Sequence, residues 1–286
     1  MFRLKMGKYQ LKEVISMLAN KNKAIINKLA KNSVKTNKKQ YAILFFTIIL
    51  SAFMLFCVFT IGMTYLDSSR LQNTRLNGAE YDIATMNGFT SEQLNTLRQN
   101  EHVRSVGMES YAGFIQSTEY DKTVEVGLLW CDEVFWDNLM APARTKLDGH
   151  YPQNKNELMV TKDILKACGN ENLSVGDSLI LTYENNQGVY TDEFIISGIW
   201  DGYGDTSAGF VSKAFYDESG YDLKNNGILC IKLNHNYVFP TTIQSIEKSL
   251  DFSDGQIFAP TGYIENSFKL LLGICGLALV ICLSAY

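Results

Sequence analysis

Two stretches of the chain depart from an ordinary mixture of apolar and polar positions. From Tyr41 to Leu66 (YAILFFTIILSAFMLFCVFTIGMTYL) 26 consecutive residues carry no charge. As a helix they rise about 39 Å, enough to cross a hydrocarbon core of about 30 Å with some tilt. A second uncharged run, Leu270 to Tyr286, has 17 residues and rises about 25 Å as a helix, the short limit for a span. The pattern predicts a membrane helix from each. A secretory signal does not fit the first, which is too long and begins only after forty residues. A buried core helix competes for the second, but no charge follows Lys269 and that lysine is placed to extend its amine to the headgroups.

Between these runs the period shortens. EYDIATM reads as a strand, SEQLNTLRQN as a helix opened by a Thr90/Gln93 capping box with Leu94 and Leu97 on its apolar face, and HVRSVGMESYAGFI as a second strand. A similar unit closes the region. GILCIKLN alternates with Leu229, Ile231 and Leu233 on one face; Pro240 and Thr241 introduce a helix with Ile243, Ile246 and Leu250 inward; QIFAP is a short last strand. Two βαβ units at opposite ends of one region predict an α+β layer whose sheet joins the beginning and end of the sequence. The segment between them reads as a strand-rich insertion. TVEVGLLW puts Val124, Val126, Leu128 and Trp130 on one face, ELMVT leads to a short helix KDILKAC stopped at Gly169, and DSLILTY and EFIISGIW flank the turn-rich ENNQGVY. Trp130, Phe135 and Trp136 are expected to pack in a core beneath a helix carrying Asp137 and Leu139. No internal repeat or low-complexity linker is evident.

Charge assigns sides. Residues 1–40 hold eleven basic side chains against one acid, Glu13, whereas Asp67 to Ser267 holds 14 basic and 29 acidic residues, a net of −15. Positive flanks stay cytoplasmic, so the N-terminus is expected inside and the middle outside. The resulting plan is α+β and membrane-anchored: a basic amphipathic arm (1–40), a first span (41–66), an extracytoplasmic mixed domain with split βαβ units (67–267, strand-rich insertion 117–226) and a second span (268–286). In the arm, Ile25, Ile26 and Leu29 recur at helical spacing while Lys23, Lys28 and Lys31 take other faces, with Asn22 as a possible cap. Such a helix suits an anionic membrane surface, where each lysine contributes about 1 kcal/mol. An unspecific basic tail that only sets topology is the alternative.

The six cysteines do not form a framework. Cys57, Cys275 and Cys282 lie in the predicted spans, and Cys131, Cys168 and Cys230 lack CxxC spacing. Buried free thiols are expected, and His102, His150 and His235 show no ligand spacing with them. No P-loop, HExxH or GxSxG occurs. The pairs Asp132/Glu133, Asp192/Glu193 and Asp217/Glu218 are sequence neighbours that point to opposite faces of a strand and read as solvated surface. DGYGDTSAG (Asp201 to Gly209) has no basic helix after it to cradle phosphate and reads as a mobile loop. No catalytic, cofactor-binding or metal residue is assigned; no cofactor is expected and the substrate contacts are unknown.

Between Leu147 and Ser212 the chain carries a Gly-x-x-Pro turn at Gly149 and Pro152, an acidic Asn156-Glu157 before a strand and helix, a Gly176-Asp177 hairpin, and a strand ending in Gly198-Ile199. In the order and intervals of these elements the stretch resembles the extracytoplasmic core domain of FtsX/MacB-like ABC transporter permeases. The basic NKLAKNSVKTNKKQ is similar to the approach helix of Gram-positive members. The resemblance implies a non-enzymatic permease subunit, or an N-terminal fragment of one cut within its second span. Its expected partners are a separate cytoplasmic ABC ATPase, membrane lipid and a second permease copy or half, with no nucleic acid; its cargo would be a peptide antibiotic, lipid or lipoprotein. A two-span ligand receptor, such as a sensor input domain, fits two spans around an outer domain equally well. An anchored outer enzyme is a third reading, disfavoured by the empty motif search.

Overall fold

The computed structural model describes residues 23–116, 126–203, 208–235 and 238–284. The chain divides into two units, Met1–Phe59 with Leu277–Tyr286, and Thr60–Gly276. Helix α1 (Lys23–Thr36) is followed after Asn37 by α2 (Lys38–Asn77). Asn37 N donates to Ser33 O at 3.0 Å and Tyr41 N to Asn37 O at 3.1 Å, so helical bonding passes through the bend. Ile25, Ile26 and Leu29 of α1 are exposed; Asn22 and the side chain of Lys23 lie outside the described residues.

Helix α2 and the last helix, α8 (Gly262–Ser284), are the two among the described residues that are long and apolar enough to cross a membrane. A core helix of a soluble protein buries its apolar side chains. Here Ile43, Phe45, Phe46, Phe56 and Ile61 of α2, and Leu277, Leu279 and Val280 of α8, all face outward. Lipid is the solvent that makes such surfaces stable, and the protein is membrane-anchored. Helix α2 runs 40 residues, about 60 Å, so its polar last turns from Asp67 continue past the apolar run.

The strands form one mixed sheet in the order β10-β1-β9-β2-β3-β8-β5-β7-β4, with β6 pairing β2 and β7. Its first half comprises β1 (Ile83–Met86), β2 (Val103–Ile115), β9 (Ile228–Leu233) and β10 (Ile257–Pro260). Strand β1 pairs antiparallel with both β10 and β9, and β9 pairs antiparallel with β2. The two βαβ units therefore interleave, as the sequence pattern predicts, into a split arrangement. Helices α3 (Ser91–Gln99) and α7 (Pro240–Ser249) supply its cover. Leu97, Ile243, Ile246 and Leu250 join Ile83, Val106, Leu229, Ile231 and Leu233 in one core, with Leu94 packed against it. The capping box is present: Gln93 N donates to Thr90 Oγ1, and Thr90 N to Gln93 Oε1.

The second half comprises β3 (Val126–Cys131), β4 (Arg144–Gly149), β5 (Glu157–Thr161), β6 (Ser178–Asn185), β7 (Gly188–Gly202) and β8 (Gly209–Val211). Short helices α4 (Lys162–Ala167), α5 (Lys213–Glu218) and α6 (Leu223–Asn226) punctuate it. Val126, Leu128 and Trp130 enter its core with Leu158, Leu179, Leu181 and Phe194; Val124 lies outside the described residues. Asn185 faces Gly188 across the β6–β7 turn, and Gln187 N donates to Asn185 Oδ1.

Three details differ from the sequence pattern. Strand β1 starts at Ile83 because Glu80 and Asp82 serve a charged junction described below. The segment over Asp137 and Leu139 is a wide π-helical turn, Val134–Leu139, which itself contains Phe135 and Trp136 and buries both in a core, as expected of these aromatics. Asp132 is part-buried and structural: its Oδ1 accepts from Met108 N and from Phe135 N, both at 2.9 Å, while Glu133 is exposed. All six cysteines are free, with Cys131 and Cys230 buried. Of the predicted 201–209 loop, 201–202 end β7 and Gly209 opens β8, while 204–207 lie outside the described residues.

Candidate functional site

A charged network joins the polar end of α2 to the sheet and to the start of α8. Arg70 Nε lies 3.5 Å from Glu80 Oε1, Lys232 Nζ lies 3.4 Å from the same oxygen, and Lys232 Nζ lies 3.3 Å from Asp82 Oδ2. Asp82 Oδ2 also accepts from Leu233 N at 2.8 Å. The backbone of Asp82 completes the tie, its N donating to Ile231 O at 2.9 Å and its O accepting from Thr261 N at 2.8 Å. Thr261 then caps α8 by accepting from Ile264 N. One residue thus holds both β9 and the helix that returns to the membrane.

Lys232 and Asp82 are almost fully buried. Burial pushes the Asp82 carboxyl up, and Lys232 and the Leu233 N–H pull it back down. Such a pair gives little net stability, but removal of either member strands a buried charge. The sequence reading passed over Lys232, Asp82, Glu80 and Arg70. The signal was a lysine inside GILCIKLN and an aspartate just before the apolar IATM, each placed at a strand that is buried on both faces.

The apolar helices approach closely near this junction. A Cβ at Gly62 would lie 2.6 Å from Ile274 Cδ1, so the absent side chain is what permits the contact. A groove of about 260 Å³ opens beside them, lined by Tyr65, Ser69, Gln72, Asn73, Tyr263 and Asn266. Tyrosine and amide side chains at the ends of apolar helices suit the headgroup level.

The motif residues of the predicted core domain build turns. Gly149 has φ +88°, and a Cβ there would sit 2.2 Å from Ser197 O; Gly198, opposite it, would meet Met159 Cε at 2.5 Å. Glu157 accepts from Gln153 N at 2.7 Å and Asn154 N at 3.1 Å, and Pro152 is buried beside this loop. Gly176 has φ +95°, and Asp177 Oδ2 accepts from Ser174 N. These residues determine the backbone path.

Behind the first half of the sheet, part-buried Glu109 lies 3.9 Å from Cys230 Sγ. Burial pushes its carboxyl up to about 7, with the Cys230 contact opposing. Burial and the Glu109 charge together push the Cys230 thiol up, so it is a protonated, inert thiol. Among the described residues no cluster of three or more His, Cys, Asp or Glu side chains is arranged to hold a metal ion.

No family model matches the chain, and no curated protein matches its sequence. Several solved structures resemble the fold. The periplasmic region of MacB from Actinobacillus actinomycetemcomitans matches at 12% identity and a TM-score of 0.44, covering 68% of this chain and 95% of that one. A domain of a protein described as a permease, from Porphyromonas gingivalis, matches at 11% identity and 0.39, with the same coverage. The extracellular domain of the ABC-type transporter YknZ from Gram-positive bacteria matches at 12% and 0.40, covering 64% of this chain and 99% of that one. These neighbours fall in the class the sequence motifs resemble. At these identities and scores they are likenesses of chain path, and the functional reading stands on the chain's own residues.

Proposed function

We propose that this chain is a non-enzymatic permease subunit of an ABC transporter. Residues 1–40 lie in the cytoplasm, 41–66 and 268–286 span the membrane, and 67–267 form the extracytoplasmic domain with 117–226 as its inserted part. A separate ATPase closes on ATP in the cytoplasm, a second permease copy or half completes the pore-forming pair, and lipid surrounds the spans. The movement releases or exports a peptide antibiotic, lipid or lipoprotein. The sequence motifs at Gly149, Pro152, Gly176 and Gly198 support the class.

The observation that carries the mechanism is the Arg70–Glu80–Lys232–Asp82–Thr261 chain. It ties both apolar helices to adjacent strands of one sheet through a half-exposed Arg70–Glu80 pair and a buried Lys232–Asp82 pair, so a shift of either helix is passed to that sheet through directional contacts. Two measurements test the proposal. Tagged chain extracted from its own host in mild detergent is expected to recover an ABC ATPase; recovery with a sensor kinase instead overturns the reading. A Lys146→Cys variant is expected to react with a membrane-impermeant maleimide in intact cells, and protection until lysis refutes the outward orientation.

A further inference from the structure

Among the described residues, one face of the β6–β7 hairpin carries no covering element. In register, Ser178 stands opposite Ile195, Ile180 opposite Glu193, Thr182 opposite Thr191 and Glu184 opposite Val189. These eight side chains share one side of the sheet, because paired residues of an antiparallel ladder project together. Ile180 is 68% exposed, Val189 60% and Ile195 41%. The other side of the same strands is the core, with Leu179, Leu181 and Phe194 buried.

A solvated sheet face normally reads polar. Here aliphatic and acidic positions alternate in a checkerboard, and the face continues onto β2. Phe114 pairs with Glu184, and Tyr111, itself exposed, stacks on Phe114 at 5.1 Å. Glu184 is steadied by Gln116 Nε2 at 2.7 Å. Neither Glu184 nor Glu193 has an ion-pair partner among the described residues.

We propose that this face binds a cationic amphipathic polypeptide segment, laid extended so that its apolar side chains cover Ile180, Val189 and Ile195 while lysines or arginines meet Glu184 and Glu193. Charge selects the occupant. From Ala167 to Ser212 the chain has seven acids and no lysine or arginine. A second copy would bring acid against acid, and an anionic membrane surface is repelled in the same way. A basic apolar segment gains both burial and charge pairing. The binding step stands on the face itself; treating the bound peptide as transported cargo rests on the permease reading.

The test uses the 286-residue chain in nanodiscs of zwitterionic phosphatidylcholine, without any ATPase, so that failure of binding and failure of the permease reading are separate results. The probe is a fluorescein-labelled ten-residue peptide alternating lysine and valine. It is expected to bind, to weaken at high salt, and to bind about tenfold less well after Ile180→Ser with Ile195→Ser, and again after Glu184→Gln with Glu193→Gln. Alternating glutamate–valine and lysine–serine peptides are expected not to bind, and Leu147→Ser, an exposed site on β4, to change nothing. Equal binding to empty discs, undiminished binding by both double variants, or loss only of self-association in those variants would overturn the proposal.

Discussion

The two halves of the sheet solve different problems. In the half formed by β10, β1, β9 and β2, strands from the two ends of the segment between the long apolar helices interleave, two helices cover one side, and charged groups are buried where the chain meets those helices. In the half formed by β3 to β8, only β6 and β7 pair through a tight turn while the other pairs join strands distant in sequence, turn glycines set the path, and among the described residues one hairpin face stays uncovered. The first half is a mount that tolerates little change; the second presents a surface and tolerates much more there. The difference is that charge is buried where the chain leaves its long apolar helices and not in the half that presents the open face.

The comparison is broken most directly at Lys232. Lys232→Met leaves the buried Asp82 without its cation, while Glu80 keeps Arg70, and is expected to cost about 3–5 kcal/mol. Hydrogen exchange should rise in β1, β9 and β10 while amides of β6 and β7 keep their protection; equal softening of both halves would erase the distinction. Glu109→Gln acts in the opposite direction. The folded carboxyl titrates near 7 against an ordinary value of 4.5, so the folded state holds a proton that the unfolded chain has released. Stability therefore falls as pH rises between those values. The substitution should raise the thermal midpoint above pH 7 by an amount equivalent to about 3 kcal/mol, and should flatten the pH dependence between 4.5 and 7; an unchanged profile would show that Glu109 is solvated.

Smaller effects sharpen the contrast. Gly149→Ala forces a Cβ against Ser197 O at positive φ, and a cost of about 1–3 kcal/mol is expected by chemical denaturation, with enhanced exchange confined to β4, β5 and β7. Thr90→Ala removes one half of the capping box and is expected to cost about 1 kcal/mol. Its effect should appear in α3 and β2 only.

Much of this architecture was legible in the chain. The two spans are visible because membrane helices need long uncharged runs, and the interleaved βαβ units because Leu229, Ile231 and Leu233 alternate while Leu94 and Leu97 follow a helical period. The motif glycines were readable as turn positions, since only glycine takes the backbone that Gly149 and Gly176 adopt without strain. The junction was not legible, because Lys232 meets Asp82 across 150 residues and periodicity carries no information at that range. The open hairpin face was equally hidden. DSLILTY and EFIISGIW look apolar on both sides, and only the register shows that Ile180 and Ile195 are left uncovered.

Strands β1 and β10, through which the segment between the two long apolar helices begins and finishes, are immediate neighbours. Everything from β3 to β8 hangs beyond β2 without touching that pair's register. The central portion is joined to these fittings by the core that Cys131, Phe135 and Leu139 share with Ala79 and Cys230, and a relative with a longer, shorter or differently charged middle that keeps this core would dock on the same fittings. A chimaera that keeps both terminal βαβ pieces and replaces the segment between them should therefore inherit new binding preferences while retaining its anchorage.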